Sequence, residues 1–240
     1  MRVAHQQRGQ GAVEFMVVFV LFLALLGGLF EMTRVIRCKL LLRSATFEAA
    51  RVGAMHHARR APMEAELANG MTALQTFGAR GPEGLVAAQA RARALVSAPG
   101  IGIRILHPTA ALHTALARSQ WIHLDGDDTY AWAQVIPNDN LQWRPRDSVT
   151  IADGTEVHLQ DANLLKVASV WCHRLVVPAL DRLIHAVVTT PAWASDRQSP
   201  CTALSSGPDR PDGIAAGYYL AVTGTAIVRM QSAVVDDDLS

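Results

Sequence analysis

The chain has 240 residues, half of them apolar and 18% charged, with a formal net charge of +1. This apolar content excludes an intrinsically disordered chain, and the near balance of charge excludes a nucleic-acid binder that works through a basic surface. The length past residue 60 suffices for one modest core.

The first predicted element is the most distinctive. Residues 12–30 hold a single ionisable side chain, Glu14. At 1.5 Å per residue the run reaches about 28 Å, close to the roughly 30 Å hydrocarbon core of a bilayer. A cleaved secretory signal has a shorter apolar core and small residues at its end, which Gly28-Leu29-Phe30-Glu31 does not supply, so the run reads as a retained membrane helix. Residues 175–188, interrupted by Pro178, Asp181, Arg182 and His185, read as soluble structure, and the chain crosses the membrane once. Glu14 at the mouth of the run needs either a cationic partner or a route to the headgroups, because an uncompensated intramembrane charge costs several kcal/mol.

Orientation is contested by the residues themselves. Arg2 and Arg8 precede the span, while Arg34, Arg37, Lys39, Arg43 and Arg51 follow it. A plain count of basic residues puts the body in the cytoplasm, whereas the very short, signal-like N-terminal segment favours the N-terminus inside and the body outside.

The helical pattern continues beyond Phe30. Met32, Ile36, Leu40, Phe47, Ala50 and Ala54 recur at three, four or seven residue steps, so one helix is expected over residues 12–59, ended by Pro62 and roughly 70 Å long. Its outer half should lay an apolar stripe on the soluble domain. Gly27-Gly28 either admits a neighbour's backbone or is simply tolerated in a lipid-facing helix. Two further helices are predicted over residues 63–76 and 83–97. A strand with Ile101, Ile103 and Ile105 on one face follows, then a hairpin of 121–124 and 130–136 over Asp125-Gly126-Asp127-Asp128. Residues 163–172 form a strand and Pro178 opens a short helix to residue 188. The last strand buries Leu220, Val222, Ala226, Val228 and Met230 and wets Thr223, Thr225, Arg229 and Gln231. Residues 191–217, rich in Pro, Gly, Ser and Asp, are expected as a long exposed loop.

No motif for chemistry stands out. Asp125-Gly126-Asp127-Asp128 lacks the spaced oxygens and terminal glutamate of a calcium loop. His56-His57 are adjacent rather than one turn apart, and His107, His113, His123, His158, His173 and His185 occur singly without metal-site spacing. There is no nucleophile elbow or phosphate-binding glycine loop, so no catalytic residue, metal or cofactor is assigned and the chain does not read as an enzyme.

Arg8-Gly9, the run Gln10-Gly11-Ala12-Val13-Glu14-Phe15, the apolar helix and Phe47-Glu48-Ala49-Ala50-Arg51-Val52-Gly53-Ala54 resemble the TadE-like proteins, the pseudopilins of tight-adherence (Flp-type) pilus systems. Residues 136–141, 160–167, 175–178 and 228–232 look like the longer bacterial members. The resemblance implies cleavage by a prepilin peptidase after Gly9, leaving Gln10 as the new N-terminus with Glu14 fifth and Phe15 sixth. The free amine of Gln10 and the carboxylate of Glu14 would lie one helical turn apart, or pair between neighbouring subunits. Many members carry a proline inside the apolar helix, and residues 17–22 have none.

The expected architecture is α+β: a leader at 1–9, a transmembrane and extended N-terminal helix at 10–60, and a pilin-like periplasmic head at 61–240 with further helices and an antiparallel sheet. The implied function is that of a minor pilin or pseudopilin, single-pass in the bacterial inner membrane, assembling a type IVb pilus by helix packing. Its implied partners are other pilins and pseudopilins, the prepilin peptidase, the pilus assembly platform and membrane lipid, with no nucleic acid. An unprocessed periplasmic scaffold fits the same hydropathy, and a membrane-tethered hydrolase is the enzyme alternative. An oxidising periplasm would allow a disulfide between Cys172 and Cys201, tying the loop to the sheet, with a reduced, buried Cys172 as the alternative; Cys38 could instead pair between neighbouring rods.

Overall fold

The computed structural model describes residues 10–76, 80–123, 130–144, 148–151, 154–193, 195–207, 210–236 and 238–239. Helix α1 runs from Gln10 to Met55, α2 from Arg60 to Met71 followed by a 3-10 turn at Thr72–Gln75, and α3 from Gly81 to Val96. Pro62 does not end the long helix, contrary to the sequence expectation. It lies in the first turn of α2, where a missing N–H is harmless.

The stop comes four residues earlier than expected and is made by the far end of the chain. His57 and Ala58 take left-handed φ values of 60° and 62°. The carbonyl of Ala54 accepts from the amides of Gln231 and Ser232 at 2.9 and 3.0 Å and from Ser232 Oγ at 3.0 Å. Ser232 Oγ also takes the His57 amide at 2.8 Å. The end of α1 is therefore capped by residues 175 or more positions away, satisfying backbone groups that a helix terminus otherwise leaves to water.

In chain order follow β1 (Gly102–His107), α4 (Ala110–Leu116), β2 (Arg118–His123), β3 (Tyr130–Val135), β4 (Ser148–Thr150), β5 (Glu156–His158), α5 (Leu159–Ala162), β6 (Leu164–Arg174), α6 (Leu180–Val188), α7 (Ser199–Ser206) and β7 (Tyr219–Arg229). The central sheet is antiparallel in the order β1-β6-β7. Strand β6 shows the period-two burial that a sheet with one covered face requires: Leu165, Val167, Ser169, Trp171 and His173 are buried under α1, while Leu164, Lys166 and Arg174 are exposed. The expected α+β architecture, a long apolar N-terminal helix with further helices and antiparallel sheets, is the one observed.

The outer half of α1 crosses this sheet at close range. A Cβ on Gly224 would stand 2.6 Å from both Ser169 Oγ and Thr46 Oγ1, two hydroxyls that bond each other at 2.6 Å in the core. A Cβ on Gly70 of α2 would stand 2.7 Å from the Ala45 Cβ. Small residues at these crossings let backbones approach, and Leu42, Ala49, Met63, Leu67, Ile103, Leu165 and Trp171 fill the space between them.

The hairpin of β2 and β3 pairs Trp121 with Trp132, and its connecting residues, including Asp125, Gly126, Asp127 and Asp128, lie outside the described ones. The segment 191–217 corrects the expectation of a wholly exposed loop. It contains α7, with Cys201 and Leu204 buried. Gln198, also buried, works as a short substitute strand: its Oε1 accepts from the Ala221 amide at 2.8 Å and its Nε2 donates to the Tyr219 carbonyl at 2.9 Å, which closes part of the edge of β7.

Candidate functional site

Among the described residues one helix, α1, is long and apolar enough to cross a membrane. Its N-terminal half touches almost nothing: Phe15 is 66% exposed, and the large apolar side chains from Met16 to Phe30 are all exposed. A surface of this extent is unstable against water and marks a site covered by lipid or by other helices.

The residues expected to carry processing lie at the tip. Gly9 falls outside the described residues, and Gln10 opens α1. Glu14 is exposed, one turn from Gln10, and Phe15 stacks on Phe19 at 5.6 Å between ring centroids. The structure brings Gln10, Glu14 and Phe15 onto the first two turns of one helix.

The acid that is buried within the chain is a different one. Glu31, at the end of the apolar run, is 1% exposed. Its Oε1 receives Arg34 Nη1 at 3.1 Å, one turn along α1, and its Oε2 accepts the backbone amides of Val176 and Val177, each at 3.2 Å. His173 Nε2 is 3.8 Å from the same Oε1. Burial first, and the Arg34 guanidinium second, push the His173 imidazole down to about 4. The Glu31 carboxylate pulls the other way, but Arg34 and two amides already engage it. This cluster fastens the start of the head to α1 where the helix leaves its apolar stretch. Sequence reasoning placed Glu31 only as the end of that stretch; the signal available was Arg34 three residues on, the spacing of a helical ion pair.

Gly27 belongs to the same junction. A Cβ there would lie 3.0 Å from Val177 Cγ1 and 3.2 Å from Leu180 Cδ1, whereas one on Gly28 would meet nothing within 4 Å. The first glycine admits the protein's own head, and the second faces outward.

Cys172 and Cys201 are joined in a disulfide that ties α7 to β6. Cys38 is a free thiol with no exposure, and its burial raises the pKa to about 12 against the smaller opposing pull of Arg34 and Lys39. In this fold it has no access to a neighbouring rod.

Among the described residues no group of three His, Cys, Asp or Glu is placed to hold a metal ion. The histidines are scattered. His57 sits between the carbonyls of Ala233 and His123 at 2.8 and 3.1 Å, and His107 bonds the Asp161 carbonyl at 3.0 Å. His113 is 3.9 Å from Asp236, and His185 packs on Tyr218 at 4.7 Å.

A head fastened to an uncovered apolar helix defines a protein consistent with membrane anchoring. Residues 9–51 match the family model described as TadE-like protein, in agreement with the resemblance read from that stretch. Curated proteins and solved structures gave no match to the chain. The TadE-like segment and the candidate membrane helix together fit a protein associated with a tight-adherence pilus.

Proposed function

We propose that this chain is a TadE-like minor pilin or pseudopilin, held in the bacterial inner membrane by α1 with its N-terminus in the cytoplasm and its head in the periplasm. It acts by assembly rather than by catalysis. A prepilin peptidase removes residues 1–9, and the amine freed on Gln10 pairs with Glu14 of the same or a neighbouring subunit. The apolar half of α1 then packs against other pilin-like helices at the assembly platform, so that the protein initiates, caps or adjusts a pilus.

The observation that carries this reading is the coincidence of the uncovered apolar helix with the TadE-like segment. The Cys172–Cys201 bond supports a head in an oxidising compartment, since such bonds persist in the periplasm and are rare in the cytosol. The position of Glu14 supports the pairing role, because it lies four residues from Gln10 on the same helix, the spacing at which a freed amine and a carboxylate are neighbours.

Mass spectrometry of the N-terminus tests it. Native protein should begin at Gln10, and a Gly9→Leu variant should retain residues 1–9. Native protein that still carries residues 1–9 would remove the processing claim and leave an unprocessed scaffold. Deletion of the gene should abolish piliation, and normal filaments in the deletion strain would remove the assembly role.

A further inference from the structure

We propose that α6, together with the turn reaching Trp193, lies in the membrane interface as a second, in-plane attachment, with Val176, Leu183, Val187 and Trp193 bedded in lipid beside the point where α1 leaves the bilayer. The inference rests on α1 spanning the membrane, and it goes beyond that reading by assigning a lipid contact to the head.

None of the nine residues of α6 is buried. Leu180 and Ile184 are half-buried, while Leu183 and Val187, four apart on the adjoining strip of the helix, are exposed, as is Val176 in the segment before the helix. Asp181, Arg182 and His185 occupy the other side. An apolar strip left open beside a charged face is the pattern of a helix that lies in a bilayer surface.

Depth decides what covers the strip. The first turn of α6 rests on Gly27, three residues inside the end of the apolar run and so about 4.5 Å deeper than Phe30 along the axis. The side chain of Val177 reaches Gly27, while its amide and that of Val176 are bonded to Glu31 Oε2 at the end of the apolar run. Helices in the interface sink about 5–10 Å into the boundary between headgroups and acyl chains, which is the same depth. At this level α1 exposes Leu26, Leu29 and Phe30, so the open strip of α6 continues the apolar surface of the membrane helix. Trp193, 73% exposed just past α6, is of the residue type enriched where hydrocarbon meets headgroups. Exposed Arg37, two turns outward along α1, and Arg182 stand where phosphates would be. A neighbouring pilin helix is the competing occupant. Lipid is favoured because the first turn of α6 is seated at Gly27, inside the apolar run, where the surrounding side chains of α1 are themselves exposed.

Spin labels on the full-length chain in vesicles of phosphatidylethanolamine and phosphatidylglycerol test this. Cysteines are introduced singly by Leu183→Cys and Val187→Cys, with Phe22→Cys as the reference for the span and Trp132→Cys as the reference for the head. The native thiol of Cys38 is buried and the other two cysteines are bonded, so the label reports the introduced site. Labels at 183 and 187 should relax more with oxygen than with a water-soluble nickel chelate, at a depth shallower than 22, while 132 responds to nickel. Nickel access at 183 and 187 with 22 still deep would overturn the inference and leave the spanning helix standing. Nickel access at 22 would overturn both. Labels at 183 and 187 shielded from both relaxants, with dipolar broadening that vanishes on dilution with unlabelled chain, would replace lipid by a second copy and overturn the assignment.

Discussion

Glu31 and Val176 meet across 145 positions of sequence, the carboxylate Oε2 accepting the Val176 amide at 3.2 Å. The neighbouring amide of Val177 shares that oxygen, and Arg34 takes the other at 3.1 Å. One acid thus satisfies the backbone where β6 ends and balances the nearest cation. The joint marks the inner limit of the head's packing on α1: outward from it Cys38, Leu42, Ala45 and Ala49 are buried in the core, and inward from it the apolar side chains are exposed.

Removing the acid should loosen that joint severely. Glu31→Ala takes the carboxylate from two amides and from a mostly buried guanidinium that keeps the Arg174 carbonyl at 3.4 Å, and breaking a buried pair from one side costs about 3–5 kcal/mol. Glu31→Gln keeps an acceptor and loses the charge, at a cost of about 1–3 kcal/mol. Urea unfolding in detergent, followed by near-ultraviolet dichroism of buried Trp171, measures both. Equal midpoints for Glu31→Ala and native protein would show that the joint does not hold the head.

Acid should weaken the same region through His173. Its folded pKa lies near 4, below the usual 6.5, so between those values the unfolded chain binds the extra proton and the folded one does not. Stability is therefore fully present above about pH 6.5 and is lost as pH falls toward 4, by on the order of 3 kcal/mol. His173→Gln removes this slope. Unfolding midpoints at pH 7.5 and 4.5 should differ less in the variant than in native protein, and an undiminished difference would assign the acid sensitivity to other groups.

The long helix, β6, β7 and the tryptophan hairpin were legible in the sequence because each has an unbroken period, 3.6 or 2, written in apolar residues. What escaped depends on partners distant in the chain. Pro62 looked like the end of α1, yet Ser232 supplies the cap and Pro62 merely begins α2. Residues 199–206 have the composition of a loop and become a helix because Cys201 is bonded into the core and Gln198 locks onto β7. Glu31 read as a polar end because its two amides come from residues 176 and 177. The processing expected of Gly9, Gln10 and Glu14 rests on a motif of the sequence, of which the structure describes Gln10 and Glu14 on the first turns of α1.

The paired glycines of α1 should respond in opposite ways. Gly27→Leu drives a side chain into Val177 and Leu180, an overpacking that costs about 1–3 kcal/mol of head stability. Gly28→Leu enters open space and should leave the head's unfolding midpoint unchanged. Thermal unfolding of the two variants in detergent separates them, and equal shifts would mean that Gly27 does not seat the head.

The disulfide should be worth more to the α7 segment than its one bond suggests. It closes a loop with a sequence separation of 29, for which the loss of unfolded-chain entropy corresponds to about 3–4 kcal/mol. The bond also holds α7 where Gln198 can reach the amide of Ala221 and the carbonyl of Tyr219, so without it those hydrogen bonds must compete with water. A Cys172→Ala, Cys201→Ala double variant should lose about that much stability in urea. Trypsin should cut it first at Arg197, which precedes α7, because local opening precedes global unfolding where few contacts hold a segment. Gln198→Ala with the disulfide intact should show a smaller loss of about 1–3 kcal/mol and slower cleavage at the same arginine. If the double variant were cut no faster than native protein, the segment would owe its position to the packing of Leu204 and the Gln198 bonds rather than to the covalent tie.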